Sequence, residues 1–399
     1  MLAFCTVILA QCLCFEEAAQ LALENSPELH LQEDMVGKRI GEHTQAQMRP
    51  NPLFNYSIEN ILGNRNWKGM RNAKERFDFT HAFETAGKRR LRTNAATYAV
   101  NEAEEQVEVT RLMLLNRLKK LFIDAAGKQA LLELAEKRAA NGEEIVKTLK
   151  LQVGEGKKSP RLVQKIQVEL AQVLFSQERA REDLRYAKEL LALEWGSPFP
   201  EFDRLCFDLD NLETPYTVEN DTIARHPLLQ QGEYRLKSME EIVKYQKALA
   251  VPNFVFTAGF QTEREKHGWN FDITFPLPIF DRNQGNIVTA EFEEQSALTQ
   301  LTANQTQLQT QLRNAIKNAS RLFKEAIFFR DYILKAARDS YQSTLDCERE
   351  GKAGPLEILE AREALLEVEE QYVQALINTH KAQVDIDYLI PPKLMKGYP

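Results

Sequence analysis

The 399 residues contain no apolar run of the length a membrane-spanning helix needs, and mean hydropathy is −0.43. That absence excludes a helical membrane span. It leaves a β-barrel open, because barrel strands give only weak hydropathy signals. Positive charge is not in excess either. Against 58 Asp and Glu stand 51 Lys and Arg, so the formal net charge of −7 gives no electrostatic basis for nucleic-acid binding. The five cysteines show no CxxC pair and no His/Cys spacing of a zinc site. There is no Walker phosphate loop, no nucleophile elbow and no HExxH helix, and the histidines are scattered at 30, 43, 81, 226, 267 and 380. No enzyme chemistry, resident metal or cofactor is expected.

The chain begins MLAFCTVILAQCLC, which is apolar apart from Thr6 and Gln11 and gives way to charge at Glu16. Residues 1–14 resemble the apolar core of a signal peptide, without the usual Lys or Arg in front. Leu9-Ala10-Gln11-Cys12 faintly resembles a lipoprotein cleavage box, with Gln11 where a small residue belongs. Removal of 1–14 would take Cys5, Cys12 and Cys14 with it. Cys206 and Cys347 would remain, both expected as free thiols.

What the chain does have is written twice. Pro27 and Pro227 each sit on a helical pattern 200 positions apart, and Pro52 and Pro252 each open an aromatic run at the same offset. Gly87 and Gly285 close the second aromatic run of each half. Gly154-Glu155-Gly156-Lys157-Lys158-Ser159-Pro160 and Arg349-Glu350-Gly351-Lys352-Ala353-Gly354-Pro355 each break a long helix. Four landmarks in one order define a first repeat over 15–195 and a second over 217–390, each helix, strand, strand, long helix, helix. Between them lies a linker at 196–216, opened by Gly196-Ser197-Pro198, and 391–399 form a tail.

Four runs alternate with period two. Phe54, Tyr56 and Ile58 share a face, as do Phe77, Phe79 and Phe83, with His81 interrupting. So do Phe254, Phe256, Ala258 and Phe260, and then Trp269, Phe271, Ile273, Phe275, Leu277 and Ile279. Each run is about 8–11 residues, the reach of a tilted strand across a bilayer. The intervening 63–75 and 262–268 are polar, as external loops would be. Four strands cannot close a barrel, and an open sheet edge cannot sit in lipid. Three copies would supply twelve strands, so this reading requires a homotrimer. A soluble pair of hairpins would show the same alternation, but these hairpins sit between long helices with no other sheet to complete.

From Leu91 to Val153 there is no proline, and from Ile287 to Glu350 neither proline nor glycine. The first span alone would be roughly 90 Å of helix. Leu118, Phe122, Ala125, Leu132 and Ala135 recur every three to seven positions, and Leu308, Leu312, Ile316, Ala319 and Phe323 every three or four, as in a coiled-coil seam. Return helices are expected over 160–194 and 355–389, and shorter helices over 16–48 and 217–249. The fold class is therefore an α+β membrane protein: a long antiparallel helical coiled-coil tunnel, with four strands per protomer entering a trimeric 12-stranded outer-membrane β-barrel.

Phe83-Glu84-Thr85-Ala86-Gly87-Lys88-Arg89-Arg90-Leu91-Arg92, the two helical turns and the first residues of the return helices resemble the TolC-like outer membrane efflux family, over nearly all of the chain. The first of these segments resembles its heavy-metal branch, the outer-membrane partners of resistance-nodulation-division cation pumps. The resemblance implies a passive exit duct in the outer membrane, with a helical tunnel in the periplasm. Its partners would be a periplasmic adaptor, an inner-membrane pump and outer-membrane lipid.

The resemblance also implies site residues. Glu357 and Glu360, three apart on one helix face, match an acidic pair that rings the tunnel entrance. In a trimer they would place six carboxylates in a narrow pore, attracting cations. Glu stands where relatives commonly carry Asp, and no basic residue occupies Ala353, although Lys352 is adjacent. The adaptor-facing tips would be Gly154, Gly156, Lys157, Ser159 and Pro160, with Gly351, Lys352, Gly354 and Pro355. The lipid-facing barrel residues would be Phe54, Tyr56, Phe77, Phe79, Phe254, Phe256, Trp269, Phe271 and Phe275. Lys88, Arg89, Arg90 and Arg92, where the chain leaves the membrane, are expected to meet lipid phosphates. Two rivals stay open: a protein-secretion duct of the same fold, and a periplasmic coiled-coil interaction protein.

Overall fold

The computed structural model describes residues 12–65, 69–70, 72–156, 159–214 and 220–390, with backbone alone at 220–222, 355 and 356. Most of the expected leader, 1–11, lies outside the described residues, as does the tail. The elements follow one another in the order β1 (Cys12–Leu13), α1 (Phe15–Asn25), α2 (Pro27–Gln47), β2 (Leu53–Glu59), β3 (Lys74–Phe83), α3 (Lys88–Gly154), α4 (Pro160–Leu193) and β4 (Arg204–Leu205). Then come a 3-10 turn (Asn220–Arg225), α5 (Pro227–Leu249), β5 (Phe254–Glu263), β6 (Lys266–Thr274), α6 (Gln284–Phe328), a π-helical segment (Phe329–Leu334), α7 (Lys335–Arg349) and α8 (Pro355–Leu389). Among the described residues no helix is long and apolar enough to cross a membrane.

The chain divides into two compact units. One contains the described residues up to Leu31, then Glu108–His226, then everything from Gln307 onward; the other contains Gln32–Val107 and Pro227–Thr306. The core of the first gathers Ala18, Ala19 and Ala22 of α1, Leu118, Phe122 and Ala125 of α3, Leu191 of α4 and Leu205 of β4. Alanines on α1 let its backbone approach α3 closely. The helix expected over 16–48 is broken at Ser26, whose extended backbone (ψ 120°) is the conformation a residue preceding proline adopts.

β1 pairs in parallel with β4, Cys12 against Arg204 and Leu13 against Leu205. A disulfide joins Cys12 to Cys206, 194 positions away, with Cα atoms 5.6 Å apart. The expectation of a free Cys206 is therefore corrected, while Cys347 and Cys14 are free. The pairing depends on a two-residue parallel ladder between distant segments, for which no cysteine spacing is diagnostic.

The second unit holds one antiparallel sheet in the order β2-β3-β5-β6. Its register places Phe54 opposite Phe79, Tyr56 opposite Phe77, Phe83 opposite Phe254, Phe256 opposite Ile273, and Phe260 opposite Trp269. The period-two reading therefore holds across the whole sheet: every aromatic of all four strands lies on one face. Two boundaries differ from expectation. β5 and β6 meet in a two-residue turn at Arg264 (φ +57°) and Glu265, so the polar 262–268 segment is mostly strand. β6 stops at Thr274, because Pro276 and Pro278 cannot donate to a ladder. Phe275 thus lies just past the strand rather than within it.

Candidate functional site

The aromatic face of the sheet is exposed where a folded chain normally hides such groups. Phe54 is 59% accessible, Trp269 71% and Phe271 66%; Tyr56, Phe79, Phe254 and Ile273 are also exposed. Neighbouring rings meet across strands, Tyr56 tilted against Phe77 at 4.7 Å and Phe83 stacked on Phe254 at 5.0 Å. A contiguous exposed aromatic patch of this kind marks a surface made for a partner or a membrane. Of the predicted set, the structure brings Phe54, Tyr56, Phe77, Phe79, Phe254, Phe256, Trp269 and Phe271 onto this face.

The opposite face is polar. Arg76 lies on it with its Nε 2.8 Å from the Asp78 carboxylate and its guanidinium 3.3 Å from Asp272. Thr80 and Thr257 bond across the strands at 3.0 Å. Asp78 is buried, and Gly259 makes room for it: a Cβ there would stand 2.0 Å from Asp78 Oδ1. Sequence reasoning missed this network. Its visible signal was a glycine inside a strand, which often marks a close approach.

The β3–α3 junction corrects a prediction. Ala86 and Gly87 take positive φ and turn the chain into α3. Lys88 does not reach lipid: it is 3% exposed, and its Nζ donates to the Val251 carbonyl and Asn253 Oδ1, both at 2.5 Å. Burial pushes its ammonium pKa down, with Glu84 opposing. Thr85 grips the same segment through its Oγ1 to the Pro252 carbonyl (2.7 Å) and its N–H to Asn253 Oδ1 (3.2 Å). Arg92 is likewise spent inside the chain. Its guanidinium meets the Glu84 carboxylate at 2.5 Å and donates to the carbonyls of Ala46 (2.7 Å) and Met48 (2.8 Å). The hydrogen bond it donates to Glu84 raises the Arg92 pKa. Lys88 and Arg92 therefore tie α3 to the strand ends, leaving Arg89 half-buried and Arg90 exposed.

The two helical turns lie in the other unit. α3 ends at Gly154, and Gly156 carries φ +71°; α7 ends at Arg349, and Gly351 carries φ +74°. A left-handed residue just past a helix end closes the last turn, here with Gly156 N–H on Val153 O (3.0 Å) and Gly351 N–H on Glu348 O (2.7 Å). Each return helix then begins on a proline after an extended cap. Ser159 accepts from the Arg161 N–H ahead of Pro160, and Gly354 precedes Pro355. Lys157 lies outside the described residues, and Lys352 Nζ meets the Glu350 carboxylate at 2.6 Å.

Glu357 and Glu360 are both exposed at the start of α8, whose Leu359 packs against Val146, Leu149, Val163 and Ile166. Glu357 also has a local role, since its Oε2 accepts the Gly354 N–H at 3.3 Å and so caps the helix. The acidic residues further along are engaged differently. Arg138 lies 3.0 Å from both Glu363 and Glu370, and Arg338 3.6 Å from Glu369. Glu357 and Glu360 thus differ from Glu363, Glu369 and Glu370 in facing solvent without a basic partner among the described residues, as Glu367 also does.

Residues 218–390 match the family model described as outer membrane efflux protein. The chain is 24% identical over 383 residues to the cobalt-zinc-cadmium resistance protein CzcC of Cupriavidus metallidurans, covering 95% of this chain and 90% of that protein. Its fold superposes on the crystal structure of CusC with a TM-score of 0.80 at 16% identity, covering 94% and 91% of the two chains. The open-state MtrE outer membrane channel of Neisseria gonorrhoeae gives a TM-score of 0.80 at 15% identity, covering 96% and 90%. The exposed aromatic sheet and the paired helical turns thus lie on the fold that CusC and MtrE share, and the second half of the chain is similar to the outer membrane efflux protein family.

Proposed function

We propose that this chain is the outer-membrane exit duct of a tripartite heavy-metal cation efflux system, working as a homotrimer. One observation carries the reading: a four-stranded antiparallel sheet whose aromatic face is exposed while its other face holds the Arg76–Asp78–Asp272 network. Turned outward, the aromatic face meets lipid; turned inward, the polar face lines a water-filled lumen. β2 and β6 each keep an unpaired edge among the described residues, and three copies would join those edges into twelve strands. The same order of elements in the two halves of the chain supports an internal two-fold repeat.

A channel does no chemistry on its cargo, so the driving force comes from an inner-membrane pump, of resistance-nodulation-division type, reached through a periplasmic adaptor. Gly154, Gly156, Lys157, Ser159, Pro160, Gly351, Lys352, Gly354 and Pro355 form the adaptor-facing tips. Threefold symmetry makes Glu357 and Glu360 two carboxylate rings that favour cations at the entrance. The likeness to a cobalt-zinc-cadmium resistance protein supports divalent metal cations as cargo. A leader over all of 1–14 would remove Cys12, so the Cys12–Cys206 disulfide favours a leader that ends before Cys12.

Deleting this chain's gene from its host should raise sensitivity to zinc, cobalt and cadmium, and restoring it should reverse the effect. Unaltered metal tolerance together with a loss of one secreted protein would replace the metal reading with the secretion duct.

A further inference from the structure

Lys88 and Arg92 have intrachain partners, but three other cations at the same junction do not. Arg49, Arg89 and Arg90 line one open cavity of about 750 Å³, walled also by Gln47, His81 and Phe83. Among the described residues none of the three arginines forms an ion pair. The carboxylate in the cavity wall, Glu84, is taken by Arg92. Glu241 feels Arg90 electrostatically, yet its carboxylate is already held by Lys244 at 2.6 Å and Asn94 at 3.1 Å. Like charges gathered without a counter-charge repel one another, so the wall is arranged for an anion from outside the chain.

Two features specify that anion. Guanidinium is a planar fork that suits the oxygens of phosphate, often two at a time. His81 and Phe83 belong to the aromatic face of β3, so the cavity adjoins that face at the end of the strand. We propose that Arg49, Arg89 and Arg90 bind the phosphate of a lipid headgroup at the membrane boundary. The assignment rests on the reading of the aromatic face as lipid-facing. It corrects the basic set expected from sequence, in that Arg49 joins it while Lys88 and Arg92 leave.

The test is a titration of the full-length, detergent-extracted chain with dihexanoyl-phosphatidylglycerol, monitored by thermophoresis. Saturable binding is expected. Combining Arg49→Gln, Arg89→Gln and Arg90→Gln should weaken it at least tenfold, and Arg313→Gln, at an exposed position in the other unit, should leave it as it is. Should the triple variant fail to fold, each single substitution is expected to weaken binding about threefold. Binding within twofold of wild type in the folded variants would overturn the site. Equal binding of dihexanoylglycerol, which has no phosphate, would overturn the headgroup. Displacement by inorganic phosphate at equal concentration would overturn the lipid source. Extraction of the wild type separates the two readings. A chain soluble without detergent removes the lipid-facing sheet, whereas a membrane-extracted chain whose variants bind normally removes this site alone.

Discussion

Replacing Lys88 with methionine keeps the length of the side chain and removes its charge and donors. Val251 O then loses its ammonium partner, while Asn253 Oδ1 keeps the Thr85 N–H at 3.2 Å. A hydrogen bond from a charged donor contributes about 1.5–3 kcal/mol, and a buried acceptor left without one costs about 1–3. Relief from burying the ammonium, the same effect that lowers its pKa, offsets part of this. The net loss is about 2 kcal/mol, and at roughly 2–4 °C per kcal/mol for a unit of this size the melting point should fall by about 4–8 °C. Circular-dichroism melting in detergent measures it, with Lys352→Met at an exposed turn as the control, expected within about 0.5 kcal/mol of wild type. A Lys88→Met chain that melts with wild type but loses affinity for anionic vesicles would refute the structural role and restore the lipid contact.

Glu357→Gln with Glu360→Gln should lower cation preference in single-channel recordings, with Glu360→Gln giving the effect without disturbing the cap; unchanged reversal potentials would remove both from the pore. Phe256→Arg with Phe271→Arg should abolish membrane assembly, and normal assembly of that variant would end the lipid-facing reading. His226 and His380 are held neutral, their pKa values pushed below 6.5 by burial against partial support from the Tyr388 and Leu209 carbonyls. The unfolded chain then binds protons first, so stability present above pH 6.5 is lost as pH falls through that value toward the depressed folded pKa. Melting points that rise between pH 7.5 and 5.5 would contradict this. Non-reducing peptide mapping should find Cys12 linked to Cys206, with Cys14 and Cys347 alkylatable; alkylation of Cys12 and Cys206 as well in the untreated protein would show the bond absent.

Local signals carried most of the fold. The strands were legible because one face of each is aromatic, and the turns because Gly156 and Gly351 need a left-handed backbone between long proline-free spans. The features that stayed hidden depend on partners distant in sequence. Lys88 and Arg92 look like a surface cluster until the carbonyls of Val251, Ala46 and Met48 close on them. Asp78 looks like any polar strand position until Gly259 makes room for it. Cys12 looks like part of a leader until Leu13 pairs with Leu205. At the acidic pair the spacing was plain, but the helix-capping role of Glu357 became visible only in the extended backbone at Gly354.

The measurement that bears most directly on the central claim is the protomer count of the membrane-extracted protein, by size exclusion with light scattering in detergent. A stable trimer is the predicted result, supplying the twelve strands that four-stranded sheets with two open edges require. A monomer that stays soluble without detergent would contradict it, because the aromatic face would then never meet lipid.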